Sequence, residues 1–213
     1  MLKFQLKVKR IIDFILSSLL LVCLLPALLI IAIIIKLTSE GPVIFKQKRP
    51  GKNRVIFEVY KFRTMKPGSE IMVAGKEVLS DDNRVTSIGK HLRRFKLDEL
   101  PQILNVLKGE MSMVGPRPER IASLDDYTDE IAKRLDMLPG MTGLAQVSGN
   151  IHLSLLDRYK YDVFYVENYS LFLDLKIVVR TIGVILFGED KYVDKTLVVF
   201  SSQSANEKVA REE

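Results

Sequence analysis

The 213-residue chain is long enough for one compact domain of ordinary size beyond an apolar N-terminal segment. Its formal net charge of +6 favours anionic partners such as phospholipid head groups, nucleotides or nucleic acid. One cysteine and two histidines exclude an intrachain disulfide, a cysteine-based metal site and a histidine-rich metal site.

The first element is an uncharged stretch from Phe14 to Ile35, which at about 22 residues can cross a bilayer as one helix. Basic residues flank both of its ends, and such flanks are normally retained on the cytoplasmic side. Pro26, near the middle, removes a backbone donor and disrupts the preceding turn. We therefore predict a re-entrant membrane hairpin within residues 1–38, bent at Pro26. A single membrane span with a tolerated proline is the alternative.

Residues 39–190 are predicted to form a mostly helical cytoplasmic domain that also contains a small β-hairpin. The strands Val43–Lys48 and Val55–Phe62 are rich in β-branched and aromatic residues and flank a Pro-Gly-containing turn. Lys66–Asn83 is polar and irregular. The remaining residues, 191–213, form a C-terminal segment whose polar end, Ser201–Glu213, is typical of a disordered tail.

Helices are predicted in four places: Ser87–Arg94, Leu100–Leu107, Ser123–Met137 and Leu171–Phe187. The last is strongly apolar but carries Asp174, Lys176 and Arg180. These charges argue against a membrane span and favour a helix in the head-group layer. A buried core helix with paired charges is the alternative.

Asp98 and Glu99 are the first candidates for chemistry. Adjacent acids usually mark only a solvated helix start, where carboxylates favour the helix dipole. Here Arg93, Arg94 and Lys96 directly precede them. Positive surroundings keep carboxylates ionised, so that one can act as a nucleophile and the other can hold a divalent cation.

Two cationic motifs accompany the acids. Arg117 lies between two prolines, which restrict its backbone and prepare its guanidinium to bind a phosphate or pyrophosphate. A rigid surface loop with a structural ion pair is the alternative. Lys61 and Arg63 follow a predicted strand as a second cluster, and the glycine-bearing turn Pro139–Gly143 has amides suited to an anion.

The order of these motifs resembles the bacterial sugar transferase family, the monotopic phosphoglycosyl transferases. The resemblance covers nearly the whole chain up to about Phe187, and its long motifs are highly specific. The matching segments are 61–65 (KFRTM), 97–102 (LDELPQ), 105–112 (NVLKGEMS), 114–119 (VGPRPE), 139–147 (PGMTGLAQV) and 174–177 (DLKI).

The resemblance implies a monotopic α+β fold and the transfer of a sugar-1-phosphate from a UDP-sugar to a membrane polyprenol phosphate, with release of UMP. Asp98 matches the nucleophile that forms a covalent phosphosugar intermediate. Glu99 matches its acidic partner, associated with an essential Mg²⁺, so both carboxylates are candidate metal ligands. The positions expected to contact substrate are Lys61, Arg63, Arg93, Arg117 and Asp162.

The resemblance also implies a re-entrant helix hinged at Pro26. A serine often precedes that proline in the family, whereas this chain has Leu25, so the bend needs other support, for which Ser17 and Ser18 are candidates. Larger relatives carry an additional N-terminal membrane domain, and this chain corresponds to the minimal catalytic unit.

The implied location is the bacterial inner membrane, with the catalytic domain on its cytoplasmic face, in exopolysaccharide or related glycan synthesis. The expected partners are a UDP-sugar, undecaprenyl or a related polyprenol phosphate, and membrane lipids. A second copy of the chain and downstream glycosyltransferases are left open. A non-catalytic basic scaffold at the membrane is the second hypothesis. Nucleic-acid binding fits the charge alone, without a recognised motif.

Overall fold

The computed structural model describes residues 2–69 and 82–193. They form an α+β fold with two small sheets, in agreement with the predicted class. The expected tail over 201–213, and residues 70–81 of the expected irregular segment, lie outside the described residues. The helices are α1 (Leu2–Thr38), α2 (Ser87–Arg94), α3 (Ile103–Lys108), α4 (Asp129–Ala132), α5 (Leu144–Val147), α6 (Leu155–Glu167) and α7 (Leu171–Phe187). The strands are β1 (Ile44–Pro50), β2 (Ile56–Phe62), β3 (Ser112–Val114) and β4 (Gly140–Thr142).

Helix α1 is long and apolar enough to cross a membrane, and most of its apolar stretch is exposed. An apolar helix left uncovered by the rest of the protein indicates membrane association. The helix continues through Pro26 as one element. Its re-entrant course therefore stays a prediction.

Serine support for the Pro26 bend is not seen at Ser17. The Ser17 hydroxyl donates to the backbone oxygens of Asp13 and Phe14, at 2.6 and 3.2 Å. Pro26 has no amide hydrogen, so the carbonyl of Val22, four residues earlier, lacks its usual helical donor. Ser17 thus satisfies carbonyls well upstream of the one that Pro26 frees.

The N-terminal part of α1 is bound to the globular part by buried polar contacts. Lys9 Nζ lies 2.7 Å from Asp174 Oδ2 on α7, and the side chains of both residues are nearly inaccessible to solvent. Asp13 accepts hydrogen bonds from the Ser112 hydroxyl and the Met113 amide at the start of β3. Two of the charges that precede the apolar stretch of α1, on Lys9 and Asp13, thus have partners inside the protein.

The predicted hairpin is confirmed. Strands β1 and β2 pair antiparallel, with Ile44 opposite Phe62 and Pro50 opposite Ile56. The predicted helix Ser87–Arg94 has the bounds of α2, and its first turn is capped by the Thr86 hydroxyl, which accepts from the Gly89 amide.

The continuous helix predicted over Ser123–Met137 is wrong. A 3₁₀ turn ends at Asp126, Tyr127 is extended, and the Thr128 hydroxyl caps the short helix α4. A further 3₁₀ turn, Lys133–Asp136, follows α4 and turns Arg134 into the interior. Tertiary contacts of Arg134 thus override the helical pattern of this segment.

Helix α7 combines the two interpretations left open by its sequence. Its inner face is buried through Asp174 and Ile177, and Asp174 is paired with Lys9, as expected for a core helix with paired charges. Its outer face exposes a stripe of large apolar side chains at helical spacing, as expected for an interfacial helix. The stripe consists of Phe172, Leu175, Val179, Ile182 and Leu186.

The parallel pairing of β3 with β4 was not anticipated. It brings Gly115 and Gly140 into such close backbone contact that a Cβ atom on either would overlap with main-chain atoms. The Gly140 amide donates to the Pro116 oxygen, and the Gly115 amide to the Thr142 oxygen. The Gly140 amide is therefore not available to an anion, and the Pro139–Gly143 turn instead supports the start of the Pro-Arg-Pro segment.

Candidate active site

The two acids lie on a 3₁₀ turn, Leu97–Gln102, that we call the acidic turn. It begins after Lys96, whose positive φ of 56° reverses the chain at the end of α2, and it continues into α3. Asn105 on α3 is fully buried and fixes this region to β2. It accepts from the Tyr60 amide at 3.0 Å and donates to the Glu58 oxygen at 2.7 Å. The acidic turn is therefore held beside the strand that carries Lys61.

Glu99 is the centre of the cationic contacts. Its Oε1 atom accepts from Lys61 Nζ at 2.6 Å and from Arg117 Nη2 at 3.2 Å. Burial by itself raises the pKa of Glu99, but the charges and hydrogen bonds of Lys61 and Arg117 outweigh it and hold the pKa well below its usual range. The sequence prediction of an ionised carboxylate is confirmed for Glu99.

The electrostatic environment of Asp98 differs. Burial, together with the neighbouring charge of Glu99, raises the pKa of Asp98, and the charges of Lys61, Arg93 and Lys96 only partly oppose this effect. The cations thus favour the ionised form of Asp98, as predicted, but burial and Glu99 outweigh them and leave the pKa above its usual range. The two adjacent acids thus have opposite shifts, which is the pattern of groups with different chemical tasks.

Both acids open into a cavity of about 730 Å³, a volume typical of small-molecule sites. The predicted residues Lys61, Arg63, Arg93 and Arg117 also line it. One edge is formed by Val184 and Ile185 of α7, next to the exposed apolar stripe of that helix. The cavity therefore combines a cationic wall with an apolar border.

Not every predicted contact residue offers its charge to this cavity. The guanidinium of Arg63 donates to the Pro42 oxygen and to both oxygens of Ser39, at 2.8 and 2.7 Å for the latter. Arg63 thus fixes the chain that follows α1, and a substrate contact by it stays a prediction. Arg93 donates to the Thr64 hydroxyl at 3.0 Å and, because burial outweighs the charge of Asp98, its pKa is lowered.

Asp162 does not line the cavity, and the structure does not bring it together with the other predicted contact residues. Its side chain is 2 % exposed and forms an ion pair with Arg134. Burial raises the pKa of Asp162 to about 6 although the charge of Arg134 opposes the rise. Asp162 faces inward from α6. Because we had not predicted this helix, we did not foresee the buried position of Asp162.

Three further arginines of the cavity wall, Arg49, Arg120 and Arg158, were not singled out from the sequence as site residues. Arg49, at the end of β1, lies close enough to Arg117 and Arg120 to be influenced by their charges. Burial and these like charges lower the pKa of Arg49 to about 10, and Glu119 opposes the effect. A group of like charges facing one cavity favours a polyanionic ligand. The signal was present as alternation along β1, but the hairpin's many cations obscured it.

Among the described residues there is no group of three or more acidic, histidine or cysteine side chains suited to a metal ion. The Asp98–Glu99 pair nevertheless fits Mg²⁺, because this ion is usually held by one or two carboxylates together with substrate phosphates. The cationic wall of the same cavity suits those phosphates.

The fold and the site define a membrane-associated protein with a carboxylate pair in a cationic cavity. The chain belongs to the bacterial sugar transferase family, whose sequence model matches residues 4–188.

Several characterised and uncharacterised proteins are similar over most of the chain. The uncharacterized sugar transferase EpsL of Bacillus subtilis (strain 168) is 41% identical over 181 residues, covering 85% of this chain and 88% of the relative. A UDP-glucose:undecaprenyl-phosphate glucose-1-phosphate transferase of Caulobacter vibrioides is 41% identical over 196 residues, covering 86% and 72%. The exopolysaccharide production protein ExoY of Rhizobium meliloti (strain 1021) is 37% identical over 198 residues, covering 86% and 88%.

Proposed function

We propose that this protein transfers a sugar-1-phosphate from a UDP-sugar to a membrane polyprenol phosphate, undecaprenyl phosphate in particular, and releases UMP. The observation that carries the proposal is the Asp98–Glu99 pair, whose second acid binds Lys61 and Arg117 in a cavity beside an apolar helix face. The activity for which the Caulobacter relative is named, transfer of glucose-1-phosphate from UDP-glucose to undecaprenyl phosphate, supports the same reaction class.

In the proposed first step, an Asp98 carboxylate oxygen attacks the phosphorus that bears the sugar. A bond forms between this oxygen and phosphorus, and the bond from phosphorus to the oxygen bridging it to the nucleotide breaks, so that UMP leaves with the electron pair. In the second step, a phosphate oxygen of the polyprenol phosphate attacks the same phosphorus. Asp98 is thereby released as a carboxylate, and the sugar diphosphate polyprenol is formed.

The surrounding charges suit this route. A diphosphate repels an anionic attacker, and Lys61, Arg117 and the nearby Arg49 reduce that repulsion while charge develops on the leaving phosphate. Mg²⁺, held by Glu99 and Asp98 together with the substrate, would supply further neutralisation of the diphosphate. A ping-pong route lets one site receive a soluble donor and then a lipid acceptor. The apolar chain of this acceptor can lie along the exposed stripe of α7.

The membrane course that we propose for α1 is re-entrant, with both ends on the side of the catalytic domain. The contacts of α1 support this course. Its N-terminal part binds the domain through Lys9 and Asp13, whereas near its C-terminal end Ile35 is completely buried against Phe62 and Leu92. Contacts of both ends with one domain favour a course that keeps both ends on the same side of the bilayer.

Cysteine labelling tests this course. In a Cys23→Ala background, Lys7→Cys and Lys46→Cys are expected to react with a membrane-impermeant maleimide from the same side of sealed vesicles, because both residues are outside the apolar stretch and exposed. Measurement in inverted and right-side-out vesicles identifies that side. Labelling of the two cysteines from opposite sides contradicts the re-entrant course.

The reaction itself is tested by UMP release. The purified protein, with Mg²⁺ and undecaprenyl phosphate in detergent or nanodiscs, is expected to release UMP from at least one member of a panel of UDP-sugars. The polyprenol-linked product should appear in parallel. Absence of UMP with every sugar, together with binding to anionic vesicles, would instead favour a non-catalytic membrane scaffold.

The pH dependence follows from the opposite shifts of the two acids. Activity requires ionised Asp98, so kcat/KM should fall as the pH drops through the pKa of this residue, which lies above the usual aspartate value. Lys61→Met removes a charge that lowers the pKa values of both Asp98 and Glu99. The acidic limb of the profile should therefore move to higher pH in this variant.

Lys46→Met is the matched control, because Lys46 lies on the same hairpin but pairs with Glu58 outside the cavity. Its profile of kcat/KM against pH should coincide with that of the wild type. An acidic limb that stays in place or moves to lower pH in Lys61→Met contradicts the electrostatic assignment.

A further inference from the structure

A buried ion pair lies directly behind the Pro-Arg-Pro segment. Arg134 and Asp162 have side chains that are each 2 % exposed, and the Arg134 Nη2 atom donates to Asp162 Oδ2. The same nitrogen donates to the main-chain oxygen of Arg117 at 2.8 Å. The ion pair thus contacts the backbone of the residue whose guanidinium reaches Glu99.

Aromatic side chains restrict the orientation of the Arg134 guanidinium. Its central carbon lies 4.6 Å from the ring centroid of Tyr159 and 5.6 Å from that of Tyr127. The Tyr127 hydroxyl forms a hydrogen bond with Nη1. A planar guanidinium that packs against two rings and is bound to three oxygens has little freedom to rotate.

The contacts of Arg134 continue through Arg117 to Glu99 in the cavity. The prolines on either side restrict the backbone of Arg117, and Arg134 fixes its carbonyl. The Arg117 side chain then starts from a fixed backbone and meets Glu99 Oε1 at 3.2 Å. A shift of the carbonyl would therefore be transmitted to the guanidinium.

We propose that Asp162 and Arg134 are positioning residues that hold Arg117 in place for the diphosphate of the nucleotide sugar. This inference rests on the proposed function, since it assigns Arg117 to that substrate. Stability alone gives little reason for a buried ion pair, because apolar residues of similar volume are often at least as stabilising. A positioning role accounts for two charges buried behind the cavity wall.

The test compares Asp162→Asn in two backgrounds. In the otherwise wild-type protein, the neutral amide weakens the hold on Arg134, and kcat/KM for the UDP-sugar should fall about tenfold to a hundredfold, as expected when a positioning contact is lost. In an Arg117→Ala background, the same change should have little further effect, because the group that it positions is absent. Equal fold losses in the two backgrounds would overturn the inference, since a general structural defect acts independently of Arg117.

Glu167→Gln is the matched control on the same helix. It removes an exposed ion pair between Glu167 and Lys133, the neighbour of Arg134, and should leave kcat/KM unchanged. Arg134→Lys serves as the second variant if Asp162→Asn does not fold. It retains the charge but loses the fork that bridges two acceptors, and the same dependence on Arg117 is expected.

The outcomes separate this inference from the proposed function. Wild-type protein that releases no UMP from any UDP-sugar overturns the proposed function and this inference with it. Active wild-type protein with undiminished kcat/KM in folded Asp162→Asn and Arg134→Lys overturns only the positioning role. Equilibrium binding of UDP provides a second measurement, with weaker binding expected in Asp162→Asn and not in Glu167→Gln.

Discussion

Asp98→Asn is expected to reduce UMP release by about a thousandfold or more, because the amide cannot serve as the proposed nucleophile. The substitution retains the size of the side chain and removes only its charge and nucleophilicity. Intact-mass measurement of protein quenched during turnover should show a sugar-phosphate adduct on the wild type. The adduct should be absent from Asp98→Asn.

Glu130→Gln provides the control for this experiment, since Glu130 is an exposed acid whose ion pair with Lys133 lies on the surface. It should form the adduct and release UMP at the wild-type rate. An undiminished adduct in Asp98→Asn would show that another residue is the nucleophile. An active wild-type protein that never forms an adduct would contradict the two-step route.

Glu99→Gln is the change with the second largest expected effect, a loss of about a hundredfold or more in kcat/KM. Glu99 is in direct contact with both Lys61 and Arg117. Its neutral replacement leaves these two cations without their counter-charge and removes a candidate ligand of Mg²⁺. The dependence of activity on Mg²⁺ concentration should therefore shift to higher concentrations.

Glu119→Gln is a useful comparison, because Glu119 also lines the cavity but has no contact with Lys61 in this structure. A smaller loss is expected for it, with little shift in the Mg²⁺ titration. Full activity and an unaltered Mg²⁺ titration in Glu99→Gln would remove Glu99 from the proposed mechanism.

Local sequence signals predicted those parts of the fold in which neighbouring residues determine the structure. The bounds of α2 and α7 follow from their caps and apolar periodicity, and the β1–β2 hairpin follows from its β-branched residues and turn. The helix expected over Ser123–Met137 failed because Thr128 caps a new helix and Arg134 turns inward to Asp162. The parallel β3–β4 pair was missed because its short strands meet only through distant parts of the chain.

The candidate site shows the same division. Asp98 and Glu99 were recognised from their motif, and Lys61 and Arg117 lie where that assignment required. The contribution of Arg49 was missed because the alternation along β1 that places it toward the cavity is obscured by the other cations of the hairpin. The ion pair of Asp162 with Arg134 was not foreseen, since the two residues are separated by nearly thirty residues of chain.

The sequence by itself determined the family, the reaction class expected from it, the apolar helix and the identity of the acidic pair, because each of these resides in contiguous residues. Only the tertiary structure decided which partner each charged side chain binds. It assigns Lys9 to Asp174, Arg63 to Ser39 and Arg134 to Asp162, and leaves Lys61 and Arg117 to bind Glu99. The physical reason is that a buried charge needs a partner within a few ångströms, and that distance depends on the folded chain rather than on position along it.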